Sequence, residues 1–163
     1  MSLIHLVLIV GATMAQADES RPPPVLVSVV VVHATKERGA KEFDPSLDKV
    51  RSALADLEFD RYEEIRSVKM TAPFNEETIF DLTSGYSLYV KPLSLERNGQ
   101  VRMNLRVKMA SKDPGCEPVD AIRTTIAIVP GKQVRLRGLT LDRGELVVVI
   151  SLEKKAGGWR KTD

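Results

Sequence analysis

Asn98-Gly99 lies between two segments in which apolar residues recur at every second position. In the segment after it, Val101, Met103, Leu105, Val107 and Met109 alternate with Arg102, Asn104, Arg106 and Lys108. Strand side chains point alternately to the two faces of a sheet, so this spacing predicts a strand with one face in a core and the other in water. Asn-Gly between such segments predicts a β-hairpin closed by a type I′ turn, whose two central residues both take positive φ. The same period runs through Tyr86–Lys91, through Ile122, Thr124, Ile126 and Ile128, and through Val134 and Leu136. Chains of this kind must bury their apolar faces against another sheet or a helix.

Two runs have no wet phase. Val25–Val32 and Leu146–Leu152 are almost continuously apolar and rich in valine, which predicts strands buried on both faces inside a sheet, as neighbours. Between the first of these and the alternating strands, Leu47, Val50, Leu54 and Leu57 recur at helical spacing behind Asp44-Pro45, an N-cap followed by a first helical residue. Tyr62–Met70 and Thr78–Leu82 read as strands, Thr83-Ser84-Gly85 and Asp142-Arg143-Gly144 as turns, and Ala110–Asp120 as a loop. Pro130-Gly131 is a further turn, after which the antiparallel meander is expected to continue. The expected class is therefore α+β: a mainly antiparallel sheet or sandwich of about seven to nine strands, with one amphipathic helix near the N-terminus of the mature domain. One helix cannot cover both faces of a doubly wound parallel sheet.

The front of the chain has a different composition. Leu3 to Ala12 is apolar apart from His5 and Gly11, and Ala15-Gln16-Ala17 before Asp18 fits an A-x-A cleavage site, so residues 1–17 are expected to be a cleaved signal peptide. Residues 18–24, with three consecutive prolines from Pro22, form an extended lead-in; 25–153 is the globular domain; 154–163 is a basic tail. After cleavage no transmembrane span is expected, and the mature chain would be periplasmic or extracellular. Cys116 is the only cysteine, so no intrachain disulfide is available and stability rests on packing.

Chemistry-bearing groups are sparse. Past residue 17 there is one histidine, His33, beside the single Cys116, too few for a zinc site of the usual His/Cys type. Asp113, Glu117 and Asp120 follow no EF-hand pattern. A Cys116/His33 nucleophile pair would need the two to meet, which spacing does not establish. Glu63-Glu64 and Glu76-Glu77 are the carboxylate pairs found in any acidic stretch, and no phosphate-binding glycine loop precedes a helix. The sequence therefore assigns no catalytic residue, metal or cofactor.

Charge is unevenly distributed along the chain. Residues 18–82 carry 9 Lys/Arg and 14 Asp/Glu, whereas 83–163 carry 15 and 8. Arg102, Arg106, Lys108, Arg123, Arg135 and Arg137 all fall on the outward phase of alternating strands, and in a continuous meander they would share one wet face. The expected function is a non-catalytic binding or assembly module of the bacterial cell envelope, presenting that face to another envelope protein or an anionic surface polymer. Nucleic acid is not the expected partner, since aromatics are only 5% of the chain and none interleave the cations. Two alternatives are an exported hydrolase with a dispersed site and an exported inhibitor of a hydrolase.

Overall fold

The computed structural model describes residues 22–153 apart from Ser84, Lys112 and Pro114. The valine-rich run at the start becomes β1 (Val25–Thr35), and its partner at the other end of the domain becomes β9 (Gly144–Leu152). They pair antiparallel in the middle of a sheet, with Val29 opposite Ile150 and Val31 opposite Val148. β3 (Arg61–Ala72) lies on the other side of β1, flanked by the two-residue β2 (Glu42–Phe43), and β8 (Gln133–Leu141) lies outside β9. The five strands have the order β2-β3-β1-β9-β8.

The alternating strands form the second sheet: β4 (Thr78–Thr83), β5 (Tyr86–Leu95), β6 (Val101–Met109) and β7 (Val119–Ile128), in that order and antiparallel. Its inward residues, among them Phe80, Leu88, Val90, Met103, Leu105 and Val107, pack against Val27, Val29, Val31, Val148 and Ile150 in one core cluster. The fold is a β-sandwich of nine strands among the described residues. Each buried valine or leucine contributes roughly 1.5–3 kcal/mol by leaving water, enough for this aliphatic core to dispense with disulfides.

β1 and β9 are buried on both faces because the outer face of the five-stranded sheet is also covered. Val32, Ala34, Val147 and Val149 meet Leu47, Val50, Leu54 and Leu57, with Tyr62 and Phe59 completing the cluster. The expected apolar positions of the helical segment are the buried ones, but a long amphipathic helix is not what holds them. Pro45–Lys49 is a 3-10 helix, and only Arg51–Leu54 (α1) is α-helical. Leu47 and Val50 are three residues apart, the repeat of a 3-10 turn, and the backbone bonds Leu47 N–H to Asp44 O, Val50 N–H to Leu47 O and Ala53 N–H to Val50 O all span three residues. Asp44 caps the start as expected, accepting from Ser46 N–H at 2.9 Å beside Pro45.

Two turns differ from expectation. The Asn98-Gly99 hairpin forms, but Asn98 has negative φ and only Gly99, at φ 81°, is left-handed. Gly99 N–H bonds Glu96 O and Glu96 N–H bonds Gln100 O, so this is a type I turn with a glycine bulge. Pro130-Gly131 does not continue the meander. With Gly131 at φ 85° and Lys132 N–H on Val129 O it has type II features, and Gly131 N–H bonds Leu152 O at the end of β9. The chain thereby leaves the four-stranded sheet and enters the five-stranded one as β8.

Candidate binding face

β6 supplies the centre of the outer face of the four-stranded sheet. Arg102, Asn104, Arg106 and Lys108 point away from the core, and the register sets Arg106 between Tyr89 on β5 and Arg123 on β7. Four of the six expected cations, Arg102, Arg106, Lys108 and Arg123, thus share a face. Lys91 joins them, opposite Asn104, which donates to Thr125 Oγ1 at 3.2 Å. The alternation of Tyr86–Lys91 carried the signal for Lys91. Arg135 and Arg137 are not on this face. Because the chain changes sheet after β7, the outward phase of β8 is the helix-covered side of the other sheet, across the sandwich. There the Arg135 guanidinium binds the Asp56 carboxylate bidentately and donates to Ala53 O. Arg137 holds Glu145 with bonds of 3.0 and 3.2 Å and lies over the Phe59 ring. Both have structural partners, and their like-charged neighbours are not the cations of β6.

The β4–β7 face is mixed in sign. Arg106 pairs with Glu77, Arg102 with Glu96 at 2.9 Å, and Arg123 with Asp120 at 2.8 Å. Among the described residues Lys91 and Lys108 make no ion pair. The Arg106 guanidinium carbon and the Lys108 ammonium lie 5.4 and 5.2 Å from the Tyr89 ring centroid, so two cations share one ring, and an aromatic does stand among the cations, contrary to the sequence expectation. Beside them Glu77, Lys91, Leu93, Asn104, Arg106 and Arg123 line a shallow depression of about 340 Å³. It offers guanidinium and ammonium donors around an amide, an arrangement suited to a carboxylate, sulfate or phosphate oxygen.

The remaining candidates separate from this face. His33 and the Cys116 loop lie at the same end of the sandwich, opposite the end where β1 begins and β9 finishes. Cys116 is exposed, while His33 Nε2 is buried without a hydrogen-bond partner. A second trough of about 350 Å³, on the uncovered part of the five-stranded sheet, is lined by Ser28, Ser67, Ser151, Lys49, Lys69 and Glu64 among others. Lys69 opposes Ser28 across the strands, and its ammonium is engaged by Glu153. No group of His, Cys, Asp and Glu among the described residues has the makings of a metal site, and no described helix is long and apolar enough to cross a membrane. Residues 1–21 and 154–163, on which the signal peptide and the basic tail were placed, lie outside the described residues. No protein-family model, curated protein or solved structure matches this chain.

Proposed function

We propose that the protein is an exported binding module that presents the outer face of β4–β7 to an acidic envelope protein or an anionic surface polymer. The observation that carries this reading is the cluster at the centre of that face, where Arg106 and Lys108 share Tyr89 and Arg123 stands directly opposite Arg106. Arg106 and Arg123 are held by Glu77 and Asp120 in part-exposed pairs of the kind worth roughly 0–1 kcal/mol, which an incoming carboxylate can replace while the displaced side chain returns to water. The apolar run from Leu3 and the Ala15-Gln16-Ala17 sequence support export. Arg135 and Arg137 are not part of the proposed site.

The test is affinity capture from an envelope extract at low and high salt, with the captured molecules identified by mass spectrometry. The variant to compare carries Arg106→Glu, Lys108→Glu and Arg123→Glu, and the control carries Arg38→Glu and Arg143→Glu, both on exposed positions away from the face. Salt-sensitive capture of an acidic partner by the wild type and the control, and not by the triple variant, is the expected result. Equal capture by all three would refute the face.

A further inference from the structure

Sheet edges expose unpaired backbone donors and acceptors, and the edges of this sandwich are defended unequally. β2 is two residues long. Beyond it, β3 carries Glu63, Glu64, Arg66 and Lys69 and a bulge at Ile65, where Val31 and Val32 face Arg66 and Glu64. β4 has an irregularity after Asp81, whose carbonyl accepts from Arg66 at 3.2 Å. β8 is bulged at Arg137-Gly138 and tied to the helical segment by Gln133 and Arg135. Among the described residues β7 lacks these protections. Its bulge, at Ala121, lies near its start, and Ile122–Ile128 then pairs with β6 in unbroken register. Arg123 is the single charge in that run and is already neutralised by Asp120 of its own chain.

We infer that this edge pairs antiparallel with β7 of a second copy of the chain, about a two-fold axis normal to the sheet at Thr125. Three features favour this occupant. An edge with one cation in seven residues has too few charges to align a charged segment along its length, whereas it meets its own copy without repulsion. Symmetric antiparallel pairing joins residues of the same facing only when the axis passes through a residue. The regular seven-residue run is centred on Thr125, so this register uses all of it. Thr125 then faces its own mate, Arg123 faces Ala127, Thr124 faces Ile126 and Ile122 faces Ile128. No like charges are opposed, threonines pair on the wet face, and the half-exposed Ile122 and Ile126 are covered on the core face.

Cross-linking reads this register directly. In a Cys116→Ser background, Thr125→Cys brings two cysteines to facing positions, where strand partners have Cα atoms ~4.5–5.5 Å apart, inside the range a disulfide spans. Ala127→Cys is the control, because its mate lies four residues along the partner strand, ~13 Å away, beyond a disulfide's reach. Mild oxidation of the full chain is expected to give a disulfide-linked dimer of doubled mass for Thr125→Cys and monomer for Ala127→Cys. A second variant, Thr125→Lys, places like charges on the axis and should convert the wild-type dimer seen by light scattering to monomer with an unchanged far-ultraviolet spectrum. Monomeric Thr125→Cys after oxidation, equal cross-linking at 127, or a dimer that persists in folded Thr125→Lys would each overturn the proposal. If Thr125→Lys fails to fold, the cysteine pair alone decides.

Discussion

At Gly144 a β-carbon would run into the carbonyl oxygen of Ala34, with His33 Nε2 and Thr35 Cγ2 each 2.9 Å away. Thr35 is the residue opposite it on β1, and the absence of a side chain lets the β8–β9 turn close down on the end of β1. The neighbours are backbone and the ends of a central strand, which cannot yield as a surface side chain does. Gly144→Ala should therefore destabilise the protein by about 2 kcal/mol, the usual penalty for overpacking, read as a lower denaturant midpoint at unchanged slope. Wild-type stability in this variant would mean that β1 and β9 separate easily at that end. The same close approach packs Gly144 against His33 Nε2, the buried atom without a hydrogen-bond partner, a packing role that one histidine in a sequence does not reveal.

Between elements, the β8 bulge is held by a carboxylate from β9. Glu145 accepts from Arg137 and from Gly138 N–H at 2.9 Å, where Gly138 takes φ 88°. Burial raises the pKa of Glu145, but the Arg137 hydrogen bond, the Gly138 N–H and the Arg137 charge outweigh it, and the net direction is downward. A carboxyl whose pKa is lowered on folding stabilises the protein above its unfolded pKa, near 4.3, and loses that contribution as pH falls through the folded value. Glu145→Gln should thus melt below wild type at pH 7, by an amount corresponding to about 0.5–1 kcal/mol given the exposure of Arg137, and the gap should close as pH falls below the unfolded value and through the lower folded one. A gap independent of pH would assign the effect to packing. Elements were legible in the sequence where period alone decides them: the β5–β7 alternation and the two valine-rich runs, with β1 and β9 as neighbours, are in the structure as read. What failed were choices between local geometries with similar sequence signals. Spacings of three and four between Leu47, Val50 and Leu54 fit a 3-10 turn running into one α-turn as well as a long helix. Pro130-Gly131 favours a type II turn, whose twist splays strands instead of closing a hairpin, and that physical cue points to the change of sheet. Once this crossing is missed, Arg135 and Arg137 are set on the wrong side of the molecule.

Across the whole molecule, a minority of the ion pairs among the described residues join the two oppositely charged halves of the chain. Arg106 reaches Glu77, Arg135 reaches Asp56 and Lys69 reaches Glu153, each pair joining the half before residue 83 to the half after it. The sequence asymmetry is only partly offset in this way, while Glu77, Glu96 and Asp120 together leave the outer face of β4–β7 less positive than its count of cations suggests. Pairing of β7 edges about an axis normal to the sheet would put both copies' outer faces on the same side of one eight-stranded sheet, doubling the cations available to an extended anion. Binding strength should then depend most on the cations that no carboxylate engages among the described residues, Lys91 and Lys108. Replacing both with glutamine removes no ion pair seen in the fold, so the melting temperature should fall by no more than the loss of the Lys108–Tyr89 contact allows, ~0.5–1 kcal/mol. Affinity for a polyglutamate probe, measured by fluorescence anisotropy at low salt, should fall about ten-fold, since two exposed charge contacts of ~0.7 kcal/mol each sum to ~1.4 kcal/mol. The remaining salt dependence should be shallower than that of the wild type, because fewer exposed charges take part. Arg106→Gln, by contrast, leaves Glu77 unpaired on the face and should cost both affinity and stability. An unchanged affinity in the double-lysine variant would move the anion site away from the β4–β7 face, whereas a loss of affinity accompanied by a drop in melting temperature larger than that contact accounts for would assign the two lysines to the fold.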